Sequence, residues 1–184
     1  MASANDALMI GVSGLRGIVG GSLSPAVALR MASAFAAWLK ETQTPANSTH
    51  FRVVVGRDGR PSGPFVRDAV LSGLMASGIE TIDLDIVTTP GVAMMVKHTS
   101  ADAGLVITAS HNPIQWNGIK LLNRDSVAPP PADVAEIRRR YDAQATAYEP
   151  VTQLHQPTKN SQTHALHTKK ILEYVDVLGI SSKR

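Results

Sequence analysis

The stretch Phe51-Arg52-Val53-Val54-Val55-Gly56-Arg57-Asp58-Gly59-Arg60-Pro61-Ser62-Gly63 decides the fold class. Phe51 to Val55 is short, apolar and β-branched, the composition of a strand, and Gly56 to Gly63 is dense in turn formers. A strand therefore delivers a polar loop. Ser62 is placed to cap a helix in which Val66, Val70 and Leu74 line one side and Gly78 supplies the stop. Residues 81–87 read as the next strand, with Ile82, Leu84 and Ile86 on one face and Asp83 and Asp85 on the other. That carboxylate pair reads as a solvated edge.

Outward from this core the alternation continues. Thr89 and Pro90 open a short helix ending near His98, and Gly104 to Thr108 forms an apolar strand that stops at a polar loop. Upstream, Val27, Met31, Phe35, Trp38 and Leu39 recur at helical spacing from Ser24 to about Lys40, with Ser24 as N-cap and Pro25 at the first helical position. Strand and helix in alternation argue for a layered α/β domain with a largely parallel sheet and right-handed crossovers. Ligands of such sheets gather beyond the carboxyl ends of strands, which directs attention to the loops after Val55, Val87 and Thr108.

Downstream, Asn117-Gly118 signals a turn before a short strand at Ile119 to Leu122, and Pro129-Pro130-Pro131 precedes a helix carrying Val134, Ile137 and Tyr141. Compact order is expected to end near residue 148. Residues 149–164, rich in Pro, Thr, Gln and Asn, read as a linker or mobile loop, after which Ile171, Tyr174, Val175 and Leu178 restore helical spacing.

Composition narrows the function classes. The 184 residues are 43% hydrophobic and 18% charged, which fits a globular chain. With no cysteine, a disulfide framework, a thiolate metal site and a catalytic thiol are excluded, and a cytoplasmic location is the expectation. Residues 1–6 show no basic stretch before an apolar one, and no run approaches the roughly 20 apolar residues of a membrane span. A net charge of +3 raises nucleic acid as a partner, but the basic residues are scattered and the cluster Arg138-Arg139-Arg140 reads as the solvated face of a helix. Neither nucleic acid nor membrane is an expected partner. His164 and His167 are three apart without a third metal ligand.

The chemistry concentrates at Thr108-Ala109-Ser110-His111-Asn112-Pro113, where an apolar strand empties into a polar turn. A serine hydroxyl is a weak nucleophile until a base or an electrostatic setting activates it, and an imidazole is its neighbour. Adjacent side chains often point apart, so a turn serine beside a surface histidine is the plainer alternative. A hydrolase using Ser110 and His111 lacks a nucleophile elbow and an oriented acid.

Thr108 to Pro113, followed by Asn117-Gly118-Ile119-Lys120, resembles the active-site serine loop of the α-D-phosphohexomutases, the phosphoglucomutase/phosphomannomutase family. Ser13-Gly14-Leu15-Arg16-Gly17-Ile18-Val19-Gly20 resembles the family's N-terminal loop, and Gly56 to Gly63 the loop after its second strand. All three stand in the family's order, from residue 8 to about 148. The resemblance implies a three-layer α/β/α domain with a mostly parallel mixed sheet, the first of four domains, over residues 1–148, with 149–184 as linker and opening helix of a second.

The resemblance also implies a phosphoryl-transfer site. Ser110 carries the phosphoryl group and exchanges it with a hexose or hexosamine phosphate through a bisphosphate intermediate; Mg²⁺ is bound through that phosphoserine and three aspartates. Phosphoryl transfer leaves a protein mostly positioning and charge neutralisation to perform. His111 is then a proton-transfer or sugar-contact residue, against a solvated loop histidine. Lys120 steadies charge or serves as general acid or base, against an exposed strand lysine, and Arg16 grips phosphate, against a structural ion pair. Arg57 and Asp58 read as an internal ion pair bracing their loop, and Asn112 as orienting the serine loop by bonding backbone.

The family's metal loop, an Asp-Gly-Asp-Gly-Asp-Arg run, occurs nowhere in the sequence, nor do its sugar-recognition and second phosphate loops. The first expectation is therefore the catalytic-serine domain of a longer mutase, inactive by itself and completed by missing domains of the same polypeptide. The second is a standalone phosphate-binding or regulatory module, or a half-enzyme needing a partner chain. Which sugar phosphate is used is not encoded in these residues.

Overall fold

The computed structural model describes residues 8–46 and 49–182; the opening residues read above for a targeting signal lie outside these. A hairpin of β1 (Met9–Gly11) and β2 (Gly14–Ile18) opens the chain, followed by α1 (Pro25–Thr42), β3 (Arg52–Arg57), α2 (Gly63–Ala76) and β4 (Glu80–Ile86). Then come α3 (Thr89–His98), β5 (Ala103–Ile107), β6 (Trp116–Leu122) and α4 (Pro131–Asp142), and last β7 (Thr158–Lys159), α5 (Thr163–Leu172) and α6 (Val177–Ser181). The seven strands form one mixed sheet in the order β1-β2-β6-β5-β3-β4-β7. Around β3 the pairing is parallel, to β4 and β5, and β4 pairs parallel with β7. From β5 outward through β6 and β2 to β1 it is antiparallel.

Helices cover both faces. On one, α1 lies between α2 and α4, and alternate strand residues Leu15, Val53, Val55, Leu105, Ile107, Ile119 and Leu121 meet Phe35, Leu39, Val70 and Ile137 in the larger core. Each fully buried side chain of this size contributes about 1.5–3 kcal/mol. The other face has a smaller core, in which Val54, Val106 and Leu122 meet Val92, Met95 and Val96 of α3. Helix α3 packs on β3, β5 and α5, and among the described residues the same side of β6 and β2 has no helix of its own.

Helix α1 starts as its sequence predicts, Ser24 Oγ accepting from the Val27 amide at 3.3 Å with Pro25 in the first turn. It is not a one-sided amphipathic helix, however: every residue from Met31 to Leu39 is buried. Five buried alanines in the helix make this central position possible, because small side chains let α2 approach closely. A Cβ on Gly73 of α2 would stand 2.8 Å from the Leu29 carbonyl oxygen.

Several expectations need correction. The stretch from Ser13 to Gly20 is mostly strand, not loop. Asn117-Gly118 is not a turn but lies inside β6, the Asn117 Oδ1 accepting from the Gly118 amide at 2.8 Å. Asp83 and Asp85 do not form a solvated edge. Asp83 is buried, with β7 paired alongside it, and accepts from the Asp85 amide at 2.9 Å, while Asp85 turns left-handed at φ 56° and breaks the alternation. Residues 149–164 contain order of their own: a 3-10 turn at Val151–Gln153, then β7. Beyond them the helical spacing is split, because the chain leaves α5 at Leu172 and re-enters a helix only at Val177, with Ile171, Tyr174 and Leu178 exposed. Among the described residues, no helix is long and apolar enough to cross a membrane.

Candidate active site

Strand β5 empties at its carboxyl end into the loop carrying Ser110, which is exposed and sits at φ 57°. Its amide donates to Thr108 Oγ1 at 2.9 Å, the Asn112 amide to the Ala109 carbonyl at 3.1 Å and the Trp116 amide to the Pro113 carbonyl at 3.0 Å. These bonds hold the left-handed turn, a conformation that costs a non-glycine residue about 1–3 kcal/mol and clusters at functional sites. Ser110 Oγ lies 3.5 Å from Nδ1 of the exposed His111, beyond the ordinary O–H to nitrogen distance. No carboxylate orients that imidazole among the described residues, so a hydrolytic triad is not assembled here.

Arg16 and Lys120 converge from the antiparallel part of the sheet. Arg16 on β2 pairs with Gly118 on β6, and the Gly118 carbonyl accepts from the Thr108 amide at 3.0 Å, so the three residues form one row across the sheet. Lys120, two residues along β6, shares a face with Gly118 and pairs with Val106. Both cations are half-buried on the side that α3 leaves uncovered, and neither side chain makes an ion pair among the described residues. Ser110 is two residues past Thr108. Arg16 in this row and Lys120 beside it thus place two cations, without an ion-pair partner among the described residues, on one sheet face next to the strand end from which the serine loop leaves.

Gly118 is what lets the strands close up. A Cβ there would stand 2.4 Å from the Leu15 carbonyl oxygen and 3.2 Å from that of Thr108, and a Cβ on Gly14, at φ 90°, only 2.0 Å from that of Ile119.

The loop after β3 supports the serine loop in a way that sequence reasoning missed. Arg60, whose side chain is 10% exposed, donates from Nη1 to the carbonyls of Pro113 (2.8 Å) and Trp116 (3.0 Å) and from Nη2 to those of Ser110 (3.0 Å) and Asn112 (2.7 Å). Its Nε donates to Asp58 Oδ2 at 3.2 Å. The expected Arg57–Asp58 ion pair does not exist, because consecutive side chains leave the strand end in opposite directions. Arg57 pairs instead with Asp85 at 2.7 Å, and Asp58 with Arg60.

Ser62 makes no capping bond; its Oγ accepts from Asn117 Nδ2 at 2.9 Å, tying this loop to β6. Replacing Ser62 by alanine leaves that buried amide donor unpaired, a cost of about 1–2 kcal/mol. Denaturant unfolding is expected to register it, and an unchanged midpoint would show that Asn117 had found another acceptor. Asn112 contributes to the loop through its main chain, whereas its buried Nδ2 has no acceptor and does not bond backbone as expected.

Several other charged residues are engaged elsewhere. The Arg67 guanidinium is held above its usual range, first by its hydrogen bond to Asp68, with desolvation opposing and the charges of Asp83, Asp68 and Asp85 adding to the rise. Arg138 pairs with Asp142, Arg139 with Glu136, and Arg140 with Glu136 and Glu41. Arg140 is buried rather than part of a solvated face. His164 Nε2 lies 2.9 Å from the Ile86 carbonyl oxygen and His167 Nδ1 3.4 Å from Thr88 Oγ1, so the two rings do not share a metal position. Among the described residues no group of three His, Asp or Glu side chains is placed to hold a metal ion.

Comparison with known proteins gives the family and the fold. The family model for phosphoglucomutase/phosphomannomutase, alpha/beta/alpha domain I, matches residues 7–148. A phosphoglucosamine mutase of Lactiplantibacillus plantarum is 42% identical over 132 residues, which are 72% of this chain and 29% of that protein. A phosphoglucomutase/phosphomannomutase of Thermococcus kodakarensis is 44% identical over 62% of this chain and 24% of its own length. The chain therefore spans less than a third of the curated relatives it matches. Among solved structures, a putative phosphomannomutase from Thermus thermophilus superposes over 100% of this chain and 39% of its own, with a TM-score of 0.79 at 23% identity, a likeness of fold. A phosphoglucomutase/phosphomannomutase family protein from Burkholderia thailandensis gives 0.61 at 27% identity over 83% of this chain and 33% of its own.

Proposed function

Because the chain belongs to the phosphoglucomutase/phosphomannomutase family, whose alpha/beta/alpha domain I it carries across residues 7–148, we propose that Ser110 is the phosphoryl carrier of a hexose or hexosamine phosphate mutase. The observation that carries this reading is the exposed, left-handed Ser110 at the carboxyl end of β5, beside strands on which Arg16 and Lys120 have no carboxylate partner among the described residues. A dianionic phosphoryl group is the ligand such a site suits.

In the forward half-reaction the bond between Ser110 Oγ and phosphorus breaks as a sugar hydroxyl forms its own bond to phosphorus, giving a hexose bisphosphate. The hydroxyl proton must leave, and the free serine alkoxide must gain one. Lys120 is assigned to hold the phosphoryl oxygens and exchange a proton, Arg16 to grip phosphate through its guanidinium, and His111 to contact the sugar hydroxyl. After the bisphosphate reorients, its other phosphoryl group returns to Ser110.

Mg²⁺ would neutralise charge on the phosphoryl group. The donor set here fits one position in its shell, an oxygen on phosphorylated Ser110, because the nearby Asp58 is committed to Arg60. The remaining ligands, the sugar-selective contacts and hence most of the turnover are assigned to domains outside these residues, with 149–184 leading into the second. This chain alone is then expected to be inactive, and a cytoplasmic location goes with that metabolic role.

Intact-mass measurement and peptide mapping of the complete native protein test the assignment. A phosphoryl group on Ser110, lost on exposure to hexose monophosphate, is expected. A Ser110 that stays unmodified in a protein with no mutase turnover would favour a phosphate-binding or regulatory module, or a half-enzyme. In the active protein, Lys120→Ala is expected to lower kcat about 100-fold. Arg16→Ala should lower kcat/KM about 10- to 100-fold, the worth of a charge-assisted bond to phosphate. Steady-state kinetics that match the unaltered protein would return both residues to a structural role.

A further inference from the structure

From the bond pattern of Arg60 we infer that this residue is the positioning element of the phosphoryl-carrying loop, acting through the main-chain carbonyls of Ser110, Asn112, Pro113 and Trp116; the inference rests on the mutase reading of Ser110. A guanidinium has five N–H bonds in a rigid plane, and here all five are used: four on those carbonyls and one on Asp58. Asp58 Oδ1 in turn accepts from the Arg60 amide at 3.0 Å, which fixes the backbone from which the fork projects.

Two physical consequences follow. The first is geometric. One planar group spans both ends of a turn from Ser110 to Trp116 and fixes Ser110 at a φ of 57° that its own side chain does not favour. The second is electrostatic. Carbonyl oxygens repel a phosphoryl dianion, and Arg60 draws four of them inward, so that the exposed Ser110 hydroxyl stands clear of them. Arg60 itself is 10% exposed and saturated with acceptors, so it has no donor left for substrate and is not a catalytic residue.

Lysine cannot replace this arrangement, because three donors on a flexible stem do not reproduce a planar five-donor fork. In the complete native protein, Arg60→Lys is expected to lower kcat about 100-fold with KM nearly unchanged, the scale of a roughly 1 Å misplacement of a reacting group. Asp58→Asn, which keeps the fork but removes its carboxylate, should give a smaller loss in the same direction and covers the case in which Arg60→Lys does not fold. Added guanidinium ion should restore part of the turnover of Arg60→Ala, a recovery that a purely stabilising role would not give. If folded Arg60→Lys turns over within about threefold of the unaltered protein while Ser110→Ala is inert, the positioning role is overturned and the mutase reading stands. An unaltered protein with neither turnover nor phosphoserine overturns both.

Discussion

Ser110→Ala in the complete native protein is expected to abolish phosphorylation and turnover together. Deleting a covalent carrier removes the route itself, and the loss should be on the order of 10⁶-fold, the scale found when an enzyme's nucleophile is removed. The fold should not notice. Ser110 is exposed, its hydroxyl has only the 3.5 Å contact with His111 among the described residues, and the bonds that shape the loop use its amide and carbonyl, which alanine retains. The thermal midpoint should therefore move by no more than about 2 °C, as for an ordinary surface change. Intact mass, a coupled turnover assay and a melting curve on the same preparation decide the matter. Turnover near the unaltered level would remove Ser110 from the mechanism, and collapse of the fold would recast it as a structural residue.

Gly118→Ala is the substitution expected to cost the most stability. A new methyl group would meet carbonyl oxygens on both sides, Leu15 of β2 at 2.4 Å and Thr108 just past β5 at 3.2 Å, and backbone in the middle of a sheet has little room to yield. The penalty should be about 3 kcal/mol, the upper end for overpacking, or roughly 10 °C in thermal midpoint for a chain of this size. Because Arg16, Gly118 and Thr108 lie in one row, relief by spreading the strands would also separate Arg16 from the serine loop. Activity at a temperature where the variant is folded should fall as well. A midpoint unchanged from the unaltered protein would contradict the close approach of β2 and β6.

Much of this was legible in the sequence, for physical reasons that also explain what was not. The helices from 25 to 42, 63 to 76 and 89 to 98, and the strands between them, announce themselves through apolar periodicity punctuated by glycine and proline. The expectation that Ser110, Arg16 and Lys120 serve one site rests on a family resemblance; what strand register adds is that residue 16 and residue 118 are opposite each other. Glycines at 14 and 17, on either side of Arg16, suited the loop reading of residues 13–20, although both positions are glycine because neighbouring atoms leave no space for a Cβ. Asn117-Gly118 misled in the same way, for its turn-forming composition serves a buried side-chain bond and a strand contact. Arg60 was invisible because four of its acceptors are main-chain oxygens some fifty residues away, and no side-chain pattern records them.

The pairing of β2 with β6 has a consequence for the order of assembly. Residue 15 must find residue 119 across more than half of the chain, whereas β3, α2 and β4 are contiguous. Long-range closure is entropically late, and synthesis runs from the amino terminus at about 5–20 residues per second. A nascent chain can complete β3, α2 and β4 while its first hairpin still waits on the ribosome for a partner strand not yet made. Arg16 and Lys120 are then strangers until the last pairing forms, and the proposed anion site comes into being only as a product of finished folding.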